Sequence, residues 1–414
     1  MKTVSVQRSR LTGTVDVSGA KNSSLRLLVA SLLTEEPVIL RNIPNILDVR
    51  TQIEMLEKVG KKIAVQGNTL TVTDQKPKTE LSWDGRTIRN TLLMLGSLLA
   101  RHGEGRVPLP GGCDLGERKY DLHEMAMRTL GAEVWEEAGY LCAKSKGRLT
   151  GADIRLSIRS TGATENGILM GTLAKGTTTI WNPHVRPEIL DLIAMLRAMG
   201  AKITVNGQES IVVEGVEKLH GCAYTCIPDN MEAITFLIAA AVTGGEVEIR
   251  NFPFDHLEVP LIHLRESGLR YFIAQDRNSI IVRPSAIYPV DIATGPYPAI
   301  NSDMQPLFAV YGLMAKGESR IVDLRFSGRF QYVEELKKMG AESSVQGDML
   351  KLTGGKKLKG TAVTALDLRA GAALVLAGLC ADGKTTITNF EQVERGYESI
   401  VEKITYLQGN IHEL

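Results

Sequence analysis

Four stretches of this 414-residue chain carry residue types that do chemistry, at spacings that packing alone does not need. The first is Ser18-Gly19-Ala20-Lys21-Asn22-Ser23-Ser24, ahead of an apolar helix. Gly19 permits an unusual turn, Ser23 and Ser24 are placed to cap the helix, and Lys21 then sits at a helix N-terminus, where anions bind. The second runs from Leu109 to Asp121 and holds Gly111, Gly112, Cys113, Gly116 and the adjacent cations Arg118 and Lys119. Such glycine richness predicts a lid. Arg118 works to lower the pKa of the Cys113 thiol, and Asp114 and Glu117 work against it. The third, Thr294 to Gln305, is stiffened by Pro296 and Pro298 and places Asp303 just before a helix. There it is either a helix cap or a general base. The fourth pairs Asp367 and Arg369 with Arg395, which is expected to open the last helix beside Gly396. A free arginine fork captures phosphate or carboxylate in bidentate fashion.

Each feature has a plainer reading: a surface lysine, a Gly-rich loop with an incidental thiol, solvated arginines. Taken together, Lys21, Arg89, Arg118, Arg369 and Arg395 come from distant parts of the chain. If they converge, they form an anion site in a nearly neutral protein, suited to a small polyanionic substrate.

The elements that must position these residues are repeats. A helix end, a glycine and a strand recur at Gly60, Gly131, Gly200, Gly268, Gly340 and Gly409, separated by 71, 69, 68, 72 and 69 residues. Six units of 69 residues fill the chain. Glycine ends a helix by turning left-handed without a Cβ clash. The segments that follow, such as AKITV, alternate as half-buried strands. A second phrase, an apolar helix followed by a strand, ends at Asn42, Asn182, Asn251, Asp323 and Asn389, with Pro110 in the sixth copy. One such unit buries too little surface to stand alone. The expectation is an α/β fold of two domains, 21–227 and 1–20 plus 228–414. Each would hold three βαβαββ-like units with sheets outside and helices inside, and the cleft between the domains would take a small molecule. A six-step solenoid is the structural alternative.

Composition excludes several classes. Lys and Arg number 48 against 47 Asp and Glu, so the chain is not built to coat nucleic acid or anionic lipid. No apolar run reaches membrane-spanning length, and the alternating N-terminus lacks a signal-peptide core. The five cysteines are sparse, and Cys222 and Cys226 have no matching second pair for zinc. A reduced, cytoplasmic protein is expected.

Several of these motifs resemble those of one family. GAKN at 19–22, GRTIRNTLLMLGSLLARHG at 85–103, LPGGCDLGER at 109–118 and STGATENGILMGTLAKGTT at 160–178 are similar to UDP-N-acetylglucosamine enolpyruvyl transferases. So are TGPYPAINSDMQ at 294–305, LDLRAGAALVLAG at 366–378 and VERGYE at 393–398. The likeness spans the chain in order. Shikimate-pathway enolpyruvyl synthases share the six-unit fold and lack the PGGC loop. The resemblance implies an inside-out α/β barrel in each of two domains, with the active site in the interdomain cleft. It implies enolpyruvyl transfer from phosphoenolpyruvate to a hydroxyl, with no cofactor and no metal. Lys21, Arg118 and Arg395 would then hold phosphoenolpyruvate, and Cys113 would be the lid acid and the target of epoxides. Asp303 would take the acceptor proton, with Asp367 and Arg369 behind it. Asn22, Arg89, Lys119, Tyr120, Asp121, Leu122, Arg159, Ser160, Thr161, Gly162, Asp303 and Arg325 would face a nucleotide-type acceptor.

The departures from the family pattern lie on the acceptor side. Where the family has PDRIETGTF, this chain has Asn230 and Met231 after Pro228-Asp229, and where it has NRFMH, this chain reads Gly328 to Tyr332. Arg325 replaces a small apolar residue. The family's ARPVDLH is here Glu117 to His123, and the lysine of its KVSVGAT is missing from Ile158 to Thr164, leaving Arg159 nearby. This pattern fits either UDP-N-acetylglucosamine or a different uridine nucleotide or nucleoside, such as UMP, in a specialised pathway.

Overall fold

The computed structural model describes residues 2–111 and 119–414, so Cys113 and Arg118 of the expected lid lie outside the described residues. The chain divides into two compact units. The central unit is Gly19–Ile227, and the terminal unit is Met1–Ser18 with Pro228–Leu414.

Each unit holds three open sheets that share one pairing order. Thr177–Trp181 runs parallel to Asp153–Arg155 and antiparallel to Ser210–Glu214, which then pairs with Lys202–Asn206. The same order is built on Val38–Arg41, Glu246–Arg250, Glu318–Val322 and Lys384–Thr388. In the sheet of Glu104–Pro108 the parallel neighbour shrinks to a single bridge between Glu80 and Arg106.

One helix per sheet is buried almost throughout. These are Lys21–Ala30, Thr91–His102 and Thr161–Leu173 in the central unit, and Asn230–Val242, Gln305–Met314 and Leu368–Cys380 in the terminal unit. Thr91–His102, Asn230–Val242, Gln305–Met314 and Leu368–Cys380 are largely apolar, as a helix enclosed by other elements requires, whereas Lys21–Ala30 and Thr161–Leu173 also bury polar groups, among them Lys21, Ser23, Ser24, Glu165 and Asn166. Within each unit the helices form the centre and the sheets lie outside them. Among the described residues no helix is long and apolar enough to cross a membrane.

Two kinds of residue punctuate the repeats. Gly60, Gly131, Gly200, Gly268 and Gly340 take φ of 90° to 100° at helix ends. The sixth position departs from expectation: Gln408, not Gly409, is left-handed there, at φ 66°. The asparagines act differently. Asn42, Asn182, Asn251 and Asn389 sit at φ 55° to 58°. Each donates its side-chain amide to the end of the parallel neighbour strand, reaching the carbonyls of Cys226, Leu156, Val17 and Ala365 at 2.8–3.1 Å. Asparagine tolerates this backbone region and satisfies a strand-end carbonyl at once. The clasped strand end lies a few residues before the N-terminus of a buried helix, which fixes where that helix begins. In the fifth copy Asp323 takes over, accepting from Thr294 Oγ1 at 2.8 Å and Ser302 Oγ at 2.6 Å.

Candidate active site

Within each unit, several of the chemistry-bearing residues stand at or near the N-termini of the buried helices. In the central unit Lys21, Arg89 and Arg159 stand at or just before the starts of Lys21–Ala30, Thr91–His102 and Thr161–Leu173. In the terminal unit Asp229, Asp303 and Asp367 hold the corresponding places.

In the terminal unit the Asp303 carboxylate is gripped by two buried arginines. Arg329 Nη1 reaches Oδ1 at 2.9 Å, and Arg369 Nε lies 3.5 Å from Oδ2. Asp303 does not cap a helix, which corrects the plainer reading. Asn301 caps the short turn Ser302–Met304 by accepting from the Asp303 amide. Asp367 and Asp229 are true caps. Asp367 accepts from the amides of Arg369 and Ala370, and Asp229 from those of Met231 and Glu232. Burial works against the Arg329 charge, but Asp303 and Asp367 outweigh it and the net shift is upward. Arg369 lies over the ring of Tyr397, itself hydrogen-bonded to Thr235. Arg395 is buried, with Nη1 3.1 Å from Gln392 Oε1. It ends the short helix Glu391–Glu394 and does not open the last helix, Ile400–Tyr406. Arg325 is exposed; its amide donates to Asp323, and its guanidinium lies over Phe326.

In the central unit Lys21 Nζ is 2.8 Å from Asp48 Oδ2. The helix starts at Lys21 with Ala20 as its cap, so Ser23 and Ser24 lie inside it and do not cap it. Their hydroxyls meet Asp191 and Cys226. Gly19 is not left-handed either. A Cβ there would fall 1.7 Å from the Asn42 carbonyl oxygen, so close approach is what requires glycine. Asn22 is half-buried beside Lys21.

The two expected acceptor segments of this unit lie against each other. Arg89 donates to the Lys119 carbonyl at 2.7 Å, and Tyr120 is bonded to Glu136. Asp121 and Leu122 begin the helix Asp121–Thr129, which carries His123 inward. A Cβ at Gly162 would lie 2.8 Å from His123 Nε2. Ser160 caps the helix Thr161–Leu173, Thr161 Oγ1 is 2.9 Å from His184 Nδ1, and Arg159 Nε is 3.3 Å from Asn182 Oδ1. Burial, aided by Arg89, pushes His123 down to about 3.

Asp48, Arg329, His123 and His184 escaped the sequence reading as site residues. Asp48 sits in the first turn of a helix, where acids are commonplace. Arg329 lies within the segment that departs from the family's NRFMH, the one signal that pointed to it.

The profile of the EPSP synthase (3-phosphoshikimate 1-carboxyvinyltransferase) family matches residues 6–404. The chain is 41% identical over 407 residues to the UDP-N-acetylglucosamine 1-carboxyvinyltransferase of Coxiella burnetii (strain RSA 493 / Nine Mile phase I), covering 98% of this chain and 94% of that one. The crystal structure of the enolpyruvyl transferase NikO from Streptomyces tendae superposes with a TM-score of 0.90 at 27% identity, covering 100% of this chain and 99% of that one. EPSP synthase from Acinetobacter baumannii, at 18% identity and a TM-score of 0.76, covers 100% of both chains and shares the fold. The chain is thus a member of the EPSP synthase family, the enolpyruvyl (carboxyvinyl) transferases.

Proposed function

We propose that this protein transfers the enolpyruvyl group of phosphoenolpyruvate to a hydroxyl of UDP-N-acetylglucosamine and releases phosphate, as a cytoplasmic step of peptidoglycan precursor synthesis. The observation that carries this reading is 41% identity across 98% of the chain to a protein of that name. Phosphoenolpyruvate is a co-substrate, and the reaction needs no cofactor.

An enol phosphate becomes electrophilic when its methylene carbon is protonated. Cys113 delivers that proton, and positive charge develops at the adjacent carbon. Asp303 takes the acceptor's proton as the acceptor oxygen bonds to that carbon. Loss of a methyl proton then breaks the carbon–oxygen bond to phosphate and restores the double bond. Lys21, Arg118 and Arg395 neutralise the phosphorylated acid so that an oxygen nucleophile approaches and phosphate departs. Asn22, Arg89 and the segments 119–122 and 159–162 hold the acceptor. Closure of the 109–121 stretch excludes water.

A second reading keeps the reaction and changes the acceptor to another uridine nucleotide or nucleoside, such as UMP. It is favoured by the exposed Arg325 and by Ile158 where the family has lysine. The test incubates the protein with phosphoenolpyruvate and either UDP-N-acetylglucosamine or UMP, following phosphate release and the added enolpyruvyl mass. Turnover of the sugar nucleotide supports the first reading; turnover of UMP alone replaces it with the second. No phosphate release with any acceptor rejects both.

A further inference from the structure

The first residue of the helix Lys21–Ala30 is a lysine, at the positive end of the helix dipole and therefore at the worst end for a cation. No acid stands in the first turn of that helix. Lys21 is also nearly enclosed, with 9% of its side chain exposed. Burial and the helix dipole both disfavour an uncompensated ammonium, and the charged form is the one suited to a phosphate. The compensating charge comes from a different element. Asp48, in the first turn of the neighbouring helix Leu47–Lys58, places Oδ2 2.8 Å from Nζ, with 5% of its own side chain exposed.

Among the described residues, other buried ionisable groups of this unit have partners of their own. Arg26 pairs with Glu165 at 2.9 Å, Glu188 with Arg186 at 2.7 Å, and Asp191 accepts from Ser23 and Tyr224. Cys226 meets Ser24, and burial pushes its thiol up to about 12.

We propose that Asp48 is the positioning residue for Lys21: its carboxylate keeps the ammonium charged and aimed until the phosphate of the three-carbon substrate takes its place. This rests on the reading of Lys21 given under the proposed function. The substrate phosphate competes with Asp48 for one ammonium, so Asp48 costs some affinity and in return maintains the binding-competent charge state.

The experiment measures the KM for phosphoenolpyruvate and kcat from pH 7 to 10, with the acceptor saturating, in wild type, Asp48→Asn, Asp48→Glu, Lys21→Ala and the double variant Asp48→Asn/Lys21→Arg. Thermal unfolding checks that each is folded. In Asp48→Asn, KM is expected to rise about tenfold per pH unit above a lowered lysine pKa, where the wild-type profile stays flat. Its kcat should change far less. Asp48→Glu should restore the flat profile. The double variant should also be flat, because arginine does not deprotonate in this range. A folded Asp48→Asn variant whose KM profile runs parallel to wild type overturns the proposal. If Lys21→Ala itself keeps a normal KM for phosphoenolpyruvate, the phosphate assignment of Lys21 falls, and the role of Asp48 falls with it.

Discussion

Arg329 Nη1 donates to Oδ1 of Asp303 at 2.9 Å, while the same nitrogen also reaches the Ser302 hydroxyl at 2.9 Å. The carboxylate is therefore fixed in direction by a buried cation on an adjoining loop. With Arg369 Nε near its other oxygen, the carboxylate is held from two sides. In the proposed reaction that fixed direction would serve to aim the carboxylate at the acceptor hydroxyl.

Replacing Asp303 tests that role. Asp303→Asn keeps an acceptor oxygen for Arg329 but removes the base. It should lower kcat roughly 10²- to 10⁴-fold with little change in the KM for phosphoenolpyruvate. Steady-state phosphate release measures both, and a kcat within a few-fold of wild type removes Asp303 from the chemistry.

Epoxide alkylation should map to Cys113. The four other thiols are poor nucleophiles: burial raises Cys142 and Cys222, and pushes Cys226 and Cys380 up to about 12. Cys113→Asp should keep part of the activity, since a carboxylic acid still delivers a proton, and should gain no adduct mass. An adduct that persists in that variant places the reactive thiol elsewhere.

Acid should destabilise the fold partly through His123. Its folded pKa of about 3 lies below the ordinary 6.5, so between those values the unfolded chain binds a proton that the folded chain does not. Stability is complete above about pH 6.5 and falls by about 1.4 kcal/mol for each pH unit below it, down to about 3. Urea unfolding at pH 7.5 and 5.5 reads the slope. His123→Gln should flatten it, and an unchanged slope would assign the acid sensitivity to other groups.

The asparagine clasps should matter for stability and for aim. Asn182→Ala loses the bond to the Leu156 carbonyl and strains a left-handed backbone, at a cost of about 1–3 kcal/mol. Asn182→Gly should recover the backbone share and not the bond. Urea midpoints rank the three proteins; equal midpoints for the alanine and glycine variants would discount the backbone share.

The sequence by itself determined the repeat. Glycine spacing, alternating strands and apolar helices are local matters of backbone freedom and burial, so the helix-and-strand order could be read from them. It missed the sixth helix end, where Gln408 takes the left-handed turn and Gly409 lies close against Ile404. Sequence motifs also marked Lys21, Asp303, Asp367, Arg369 and Arg395. Tertiary structure alone decided what each one meets. Asp48 is 27 positions from Lys21, and Arg329 is 26 from Asp303. Neither pairing has a signature, because the register of one helix against its neighbour is set by core packing over the whole unit. The same packing turned Ser23 from an expected cap into a buried donor to Asp191. Composition tells which charges exist; only the fold says which of them are neutralised before a substrate arrives.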